Sequence, residues 1–377
     1  MSTGIDDSRA MARPWWRSRA AQAILSVAVV VLIFGFFFPK LADYGEVWDT
    51  ITAMTAIELA TLGAAAAWNL ASYWPMLAAV QPGLRIREAA VVNLASTAVS
   101  NTLPGGGAIG VGVTMTMQRS WGIPVASTAL ATVVSGIWNN FVKLGLPVVA
   151  LALLAISGGA GAALMTAAVI GLAVLVAAIV LFALLLRSES MAARIGTLTG
   201  RVASTVRRPF RRPPVEHWDD RAVVFRTDIV ALLEHRWLLI TATSLVSHLS
   251  LFAVLLVALR HVGVSDDEVD WQHVLAAFAF VRLLSAVPIT PGGLGLVELG
   301  LTATLGSGLP DGTKNQVAAA VLLYRALTWL IPIPLGVLCW MFWRSNTSWR
   351  RSPGTRPTWR HAPVEPPVDD ASPLQPV

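Results

Sequence analysis

The sequence predicts an all-α polytopic membrane protein, laid out as an inverted-topology repeat with two Pro-Gly-broken re-entrant hairpins. Three observations lead there. The 377 residues are 55% hydrophobic and only 13% charged, too apolar for an ordinary soluble domain. Basic and acidic residues alternate between the connections of successive apolar runs. The same Pro-Gly-Gly break stands in two long apolar segments, with Pro104 and Pro147 separated by 43 residues, as are Pro291 and Pro334.

Runs of about 20 apolar residues, the length a helix needs to cross hydrocarbon, are Ala20 to Phe38, Ile57 to Val80, Ala162 to Leu186 and Trp237 to Leu259. The first follows Arg13, Arg17 and Arg19 as a signal peptide would. It exceeds a typical h-region, ends in Phe36-Phe37-Phe38-Pro39 and lacks a small-x-small cleavage site, so it reads as a retained span. Pro124 to Ile156 and Asn315 to Trp343 are single longer runs with internal prolines, whereas Ile86 to Gln118 and Trp271 to Leu309 are interrupted by Pro-Gly.

Orientation follows from Lys and Arg. The N-terminal tail, the stretch Arg187 to Arg236 and the C-terminal tail are arginine-rich and read as cytoplasmic, so both termini lie inside a plasma (inner) membrane. Asp43, Glu46 and Asp49 after the first span, and Asp266 to Asp270 after Leu259, read as outward-facing. With those ends fixed, Ile86 to Gln118 must enter and leave on the cytoplasmic side, broken at Leu103 to Gly107, and Trp271 to Leu309 must enter and leave from outside. The expected divisions are a cytoplasmic tail over 1–19, a first membrane repeat over 20–156, and a second over 162–343 with a cytoplasmic basic loop at 187–236. A disordered cytoplasmic tail over 344–377 follows. Arg207 to Pro214 is a polybasic turn suited to lipid head groups.

Composition also excludes functions. The net charge of +6 does not point to nucleic acid, because the basic residues flank apolar spans and anionic lipid explains them. A single cysteine, Cys339, rules out an intramolecular disulfide and a cysteine metal cluster. No metal-ligand motif, nucleophile elbow or paired-acid cluster occurs in the membrane region, so no catalytic residue, metal or cofactor is expected. A nucleotide-binding glycine loop would need a preceding strand in a soluble βαβ unit, which the pattern lacks.

Candidate site residues are the ionisable groups inside spans, since a charge at the bilayer centre costs roughly 2.5 to 3.5 kcal/mol. They are Lys143, Arg282, Arg325 and Glu298. Glu298 follows the break Pro291-Gly292-Gly293 and Gly295, in the first turns of a returning half-helix, where the helix dipole favours a carboxylate. Either Arg282 or Arg325 is placed to pair with it. The pair then serves as an inert strut, or one or both arginines face a cavity and grip a phosphate, which the planar guanidinium matches bidentately. Asn93, Asn101, Asn139 and Asn140 are candidates to line the opposite half or to act as packing glue. His248 is a candidate for proton coupling or a packing histidine.

The run Arg282, Pro288, Pro291-Gly292-Gly293-Leu294-Gly295 and Glu298, then Tyr324-Arg325 and Pro332-x-Pro334-x-Gly336, resembles the flippase-like transmembrane domain of lysylphosphatidylglycerol synthases. The resemblance spans about Ala20 to Trp343. In the first half Asn101, Pro104 and Gly105 match, whereas Gly107-Ala108-Ile109-Gly110 stands where Gly-Glu and a following Arg are common in the family. It implies a stand-alone translocator, with no aminoacyl-transferase domain after Trp343. Its partners would be membrane lipids, an anionic phospholipid or a lipid-linked sugar, held by Arg282, Tyr324, Arg325 and the two glycine breaks. Oligomeric state is left open. Two other readings stand beside it: a membrane-embedded glycosyltransferase using a polyprenyl-phosphate-linked sugar, with Glu298 as base, and a non-catalytic envelope-assembly partner.

Overall fold

The computed structural model describes residues 43–103, 105–156, 162–207, 217–285, 291–352 and 354–355. The expected first span and the tail before it, Pro104, Pro288, the polybasic run after Arg207 and the chain beyond 355 lie outside the described residues. What is described is helical, apart from connections and one isolated bridge between Trp121 and Arg351. Four helices, or five if one bent pair counts as a single span, are long and apolar enough to cross a membrane.

Helix α1 (Tyr44–Thr52) starts where the Asp43 carboxylate accepts from the amides of Gly45 at 2.8 Å and Glu46 at 3.1 Å. It meets α2 (Ala56–Val80) at 96°. A capping box opens α2: the Thr55 amide donates to Glu58 at 2.7 Å and the Glu58 amide to Thr55 Oγ1 at 3.3 Å. Helices α3 (Ile86–Thr102) and α4 (Gly106–Ser120) fold back on one another through Leu103–Gly105. There Gly105 takes φ 67°, a left-handed turn open to glycine without strain. A Cβ on Gly106 would stand 2.6 Å from the Val99 carbonyl oxygen, so α4 rests directly on the last turn of α3.

Helix α5 (Val125–Ile156) crosses once with Pro147 inside it. Helix α6 (Ala162–Arg187) packs on α5 and presents Val169, Ile170, Val176 and Leu181 outward, as a lipid-facing span must. The stretch expected as a basic loop over 187–236 is helical where described. Helix α7 (Glu189–Arg207) packs against the first turns of α8 (Trp218–His261), and Arg226 ties the corner by donating to Leu186 O at 2.7 Å and Glu189 at 3.1 Å. Arginine is a good helix former, so charge density marks the side of the membrane and leaves the helix intact.

The second half ends in α9 (Trp271–Leu284), a one-turn 3-10 helix Pro291–Gly293, α10 (Leu296–Leu305), and α11 (Asp311–Arg325). Helix α11 continues through a π-helical segment, Ala326–Leu330, into α12 (Pro332–Ser345). A Cβ on Gly336 would collide with Leu94 O and the Ala98 side chain, so α12 lies backbone to backbone against α3.

The two ends of the bundle differ in charge. At one, Asn315 accepts from the Asp43 amide at 2.9 Å and donates to Glu46, while Thr313 donates to Glu268 at 3.1 Å. At the other, Arg87 lies 5.3 Å from the Trp349 ring and Trp343 donates to Ser120 at 2.9 Å. The first described residues of the stretch expected as a disordered tail are ordered: α12 runs to Ser345, and the chain after it docks, with Arg351 N donating to Ser120 O at 2.9 Å and Gly354 N to Gly122 O at 3.1 Å. Trp349 against Trp121 and Phe342 holds this segment in place. Helices α3 and α4 form a hairpin whose open ends lie at the basic end. Helices α9 and α10 have theirs at the acidic end, beside Asp267, Asp270 and Thr304.

Candidate functional site

The tip of the second hairpin is built from the Pro-Gly break upward. Gly292, Gly293 and Gly295 all take positive φ, at 61°, 70° and 82°. That backbone turns the Gly295 amide toward Glu298, whose Oε2 accepts from it at 2.7 Å. The other carboxylate oxygen accepts from Arg325 Nε at 2.7 Å, and Arg325 Nη2 donates to Gly292 O at 3.1 Å. Glu298 is 1% exposed, and the Arg325 guanidinium carbon lies 5.4 Å from the centroid of the Trp329 ring. One buried carboxylate thus joins the start of α10, the end of α11 and, through Arg325, the turn between α9 and α10. Removing one member of such a pair typically costs about 3–5 kcal/mol, because the other charge stays buried alone.

The first hairpin reaches this clamp. Asn101, in the last turn of α3, donates to Trp329 O at 3.1 Å. The carbonyl belongs to the π-helical segment, where the wider turn leaves backbone groups open to outside partners. A Cβ on Gly292 would collide with the Trp329 indole and come within 3.2 Å of Asn101 Oδ1. Asn101, Gly292, Glu298 and Arg325 are therefore brought together. Tyr324 is 2% exposed and packs in the apolar core of α8, α9 and α11. Gly105 opens the first tip, with nothing within 4 Å of where its Cβ would be.

Arg282 is separate. Of the two arginines placed to pair with Glu298, only Arg325 does so. Arg282 makes no ion pair among the described residues, and its Nε is buried without a hydrogen-bond partner. It stands on the wall of a half-open cavity of about 430 Å³ lined by α2, α3, α4, α5, α8 and α9, with Thr328 of the π-helical segment at the same wall. That volume is in the range of small-molecule sites. Lys143 of α5 is within electrostatic reach of Arg282, so two cations of the bundle interior share a neighbourhood.

Amides and hydroxyls share the rest of the wall with apolar side chains such as Leu70, Val92 and Leu251, and several of the polar groups are poorly satisfied. Gln81 is 1% exposed; its amide nitrogen donates to Ser127 at 2.8 Å while Oε1 has no partner. His248 is 4% exposed; its Nδ1 contacts the Ser244 carbonyl at 3.0 Å and Nε2 has no partner. A carbonyl only accepts, so Nδ1 carries the proton and Nε2 of the neutral ring is an acceptor. Asn139 donates to the Tyr73 hydroxyl at 3.3 Å, and Asn93 also lines the cavity. Asn140 points outward and is exposed. Sequence reasoning named Asn93, Asn139 and His248, and missed Gln81, Tyr73, Gln118 and Thr128, whose only signal was a polar residue in or beside an apolar run.

The family model described as the lysylphosphatidylglycerol synthase TM region matches residues 23–336. No curated protein matches the chain.

Proposed function

The chain belongs to the family of the lysylphosphatidylglycerol synthase transmembrane region, and from that premise we propose that it is a flippase-like translocator of a phospholipid or lipid-linked glycan. In this reading the phosphate sits against Arg282 in the polar cavity while the acyl or prenyl chains stay in the bilayer. The observation that carries it is Arg282 itself: a cation in the bundle interior, with a buried unpartnered nitrogen, on the wall of a cavity lined by neutral polar and apolar groups. A buried charge without a counter-charge is costly, and an anionic ligand supplies the missing partner. Arg325 and Glu298 hold the hairpin tip in shape, and the two hairpins opening to opposite ends act as an inverted repeat around a site near the midplane. The basic end faces the cytoplasm of a cell membrane, in keeping with the distribution of arginine.

The glycosyltransferase reading needs a free carboxylate. Glu298 has both oxygens engaged, and no carboxylate among the described residues lines the cavity. That observation favours translocation.

The test is a leaflet-accessibility assay on purified protein in vesicles containing fluorescent-tailed phosphatidylglycerol. Arg282→Gln, folded as judged by its melting temperature, loses translocation. An unchanged rate in that variant overturns the reading, and a change in the lipid's mass on incubation with wild type favours the transferase.

A further inference from the structure

The chain after α12 lies across the joint between the first hairpin and α5. We propose that it is a releasable strap on that joint, which holds closed the seam between α4 and α5 in the cavity wall.

The two sides of the seam are held differently. Helices α3, α4 and α12 fit backbone to backbone: a Cβ on Gly106 or Gly110 would run into α3, and one on Gly336 into Leu94 and Ala98. Contacts that close couple the three helices into one body. Helix α4 packs far less on α5 than on α3, and a hydrogen bond from Thr128 to Gln118 at 2.9 Å crosses the gap. Both of those residues line the cavity. The covalent link across the seam is the turn Trp121-Gly122-Ile123-Pro124, where Gly122 takes φ 83°, a backbone state that glycine enters without strain. Hinges are made of a few such connecting residues.

The docked chain covers this hinge. Arg351 N donates to Ser120 O at 2.9 Å and Gly354 N to Gly122 O at 3.1 Å, so the strap holds the turn on both sides of Trp121. A Cβ on Gly122 would run into Thr355 Oγ1 and stand 2.9 Å from Ser352 O, which leaves only a glycine able to lie under the strap. Trp349 meets Trp121 and Phe342, with Arg87 of α3 5.3 Å from its ring. The end of α12 thereby grips α3, α4 and the hinge together. The grip is light. Trp349 is half-buried, whereas Ser348, Arg350, Arg351 and Ser352 are exposed, the marks of a segment that opens at low cost.

Amide hydrogen exchange tests this on the full chain in vesicles of phosphatidylcholine and phosphatidylglycerol, comparing wild type with Trp349→Ala and Arg351→Pro. The first removes the anchor, the second an amide donor. The strap bonds to carbonyls of the hinge through its own amides, so the hinge amides lose no partner when it leaves. Exchange at Trp121, Gly122, Ile123 and Thr128 should still rise at least about tenfold in both variants, while α3 and α8 exchange as in wild type. Resting on the translocator reading, fluorescent-tailed phosphatidylglycerol should also cross at least about twofold faster in both. Unchanged exchange at the four amides overturns the strap, and so does a rise spread evenly through α3 and α8. Faster local exchange with unaltered crossing overturns its control of the cavity. A wild type that moves no phosphatidylglycerol overturns the translocator reading alone, and the exchange ratio then decides the strap.

Discussion

The two hairpins use nearly the same sequence device for different ends. In α3–α4 the glycine break ends in an open, uncharged tip, and the helices contribute Asn93, Ser96, Thr114 and Gln118 to the cavity wall. In α9–α10 the break is fastened by Glu298 and Arg325, and the entering helix delivers Arg282. One hairpin therefore supplies solvation, the other charge and rigidity. The lesson is that two arginines near one carboxylate end in different settings: the pair of Arg325 with Glu298 fixes backbone, while Arg282, sixteen residues before Glu298, stands on the cavity wall without a counter-charge among the described residues.

The strongest way to break this contrast is at the clamp. Glu298→Gln leaves Arg325 buried without its counter-charge and should destabilise the protein by about 3–5 kcal/mol, read as a large fall in melting temperature. Combining it with Arg325→Met should recover part of that loss. Arg282→Gln, by comparison, should leave the melting temperature equal or higher while removing transport. Equal destabilisation by the two arginine replacements would erase the distinction between strut and anchor. In the first hairpin, Gly106→Ala drives a methyl against the Val99 and Ser100 carbonyls and should cost about 1–3 kcal/mol. Asn101→Ala removes one hydrogen bond between the hairpins and should cost about 1 kcal/mol in stability. A double-mutant cycle of Asn101→Ala with Glu298→Gln then measures how firmly the two tips are coupled.

The smallest effect concerns the loop that leads into the second hairpin. Hydrogen bonds from the Ser265 amide and hydroxyl, and then from Thr313, hold the Glu268 carboxyl below its ordinary value of 4.5. A folded-state value below the unfolded one means stability that is fully present above about pH 4.5 and lost as pH falls through the lower value. The melting temperature of wild type should thus drop more than that of Glu268→Gln between pH 5 and pH 3, by roughly a degree or two for so exposed a group.

Much of the architecture was legible because a bilayer imposes length and satisfaction rules that leave marks in sequence. The starts of α3 at Ile86 and α9 at Trp271 stand where apolar runs put them, and the break expected over Leu103 to Gly107 is shorter, since α4 already begins at Gly106. Helix α7 and the early turns of α8 were not legible, because arginine-rich composition signals a side of the membrane and is equally compatible with loop or helix. The docking of the chain after Ser345 was hidden for a similar reason: Pro and Arg suggested disorder, while Trp349 reaching Trp121 is a tertiary contact between residues far apart in the chain. At the site, a pairing of Glu298 with an arginine was readable and the choice between Arg282 and Arg325 was not. Both occupy permitted helical positions, and only the packing of α11 against α10 brings the Arg325 guanidinium to the carboxylate. The cavity wall was the least legible part, since Gln81 and Thr128 acquire meaning only when α2 and α5 come together.

Helix α8 has a mechanical consequence. Its 44 residues form one uninterrupted rod, about 66 Å long at 1.5 Å per residue, roughly twice the thickness of the hydrocarbon layer it crosses. With α7 packed on its first turns and the acidic loop joined to its last, this single helix is a continuous backbone connection between the arginine-rich end and the loop where the second hairpin begins.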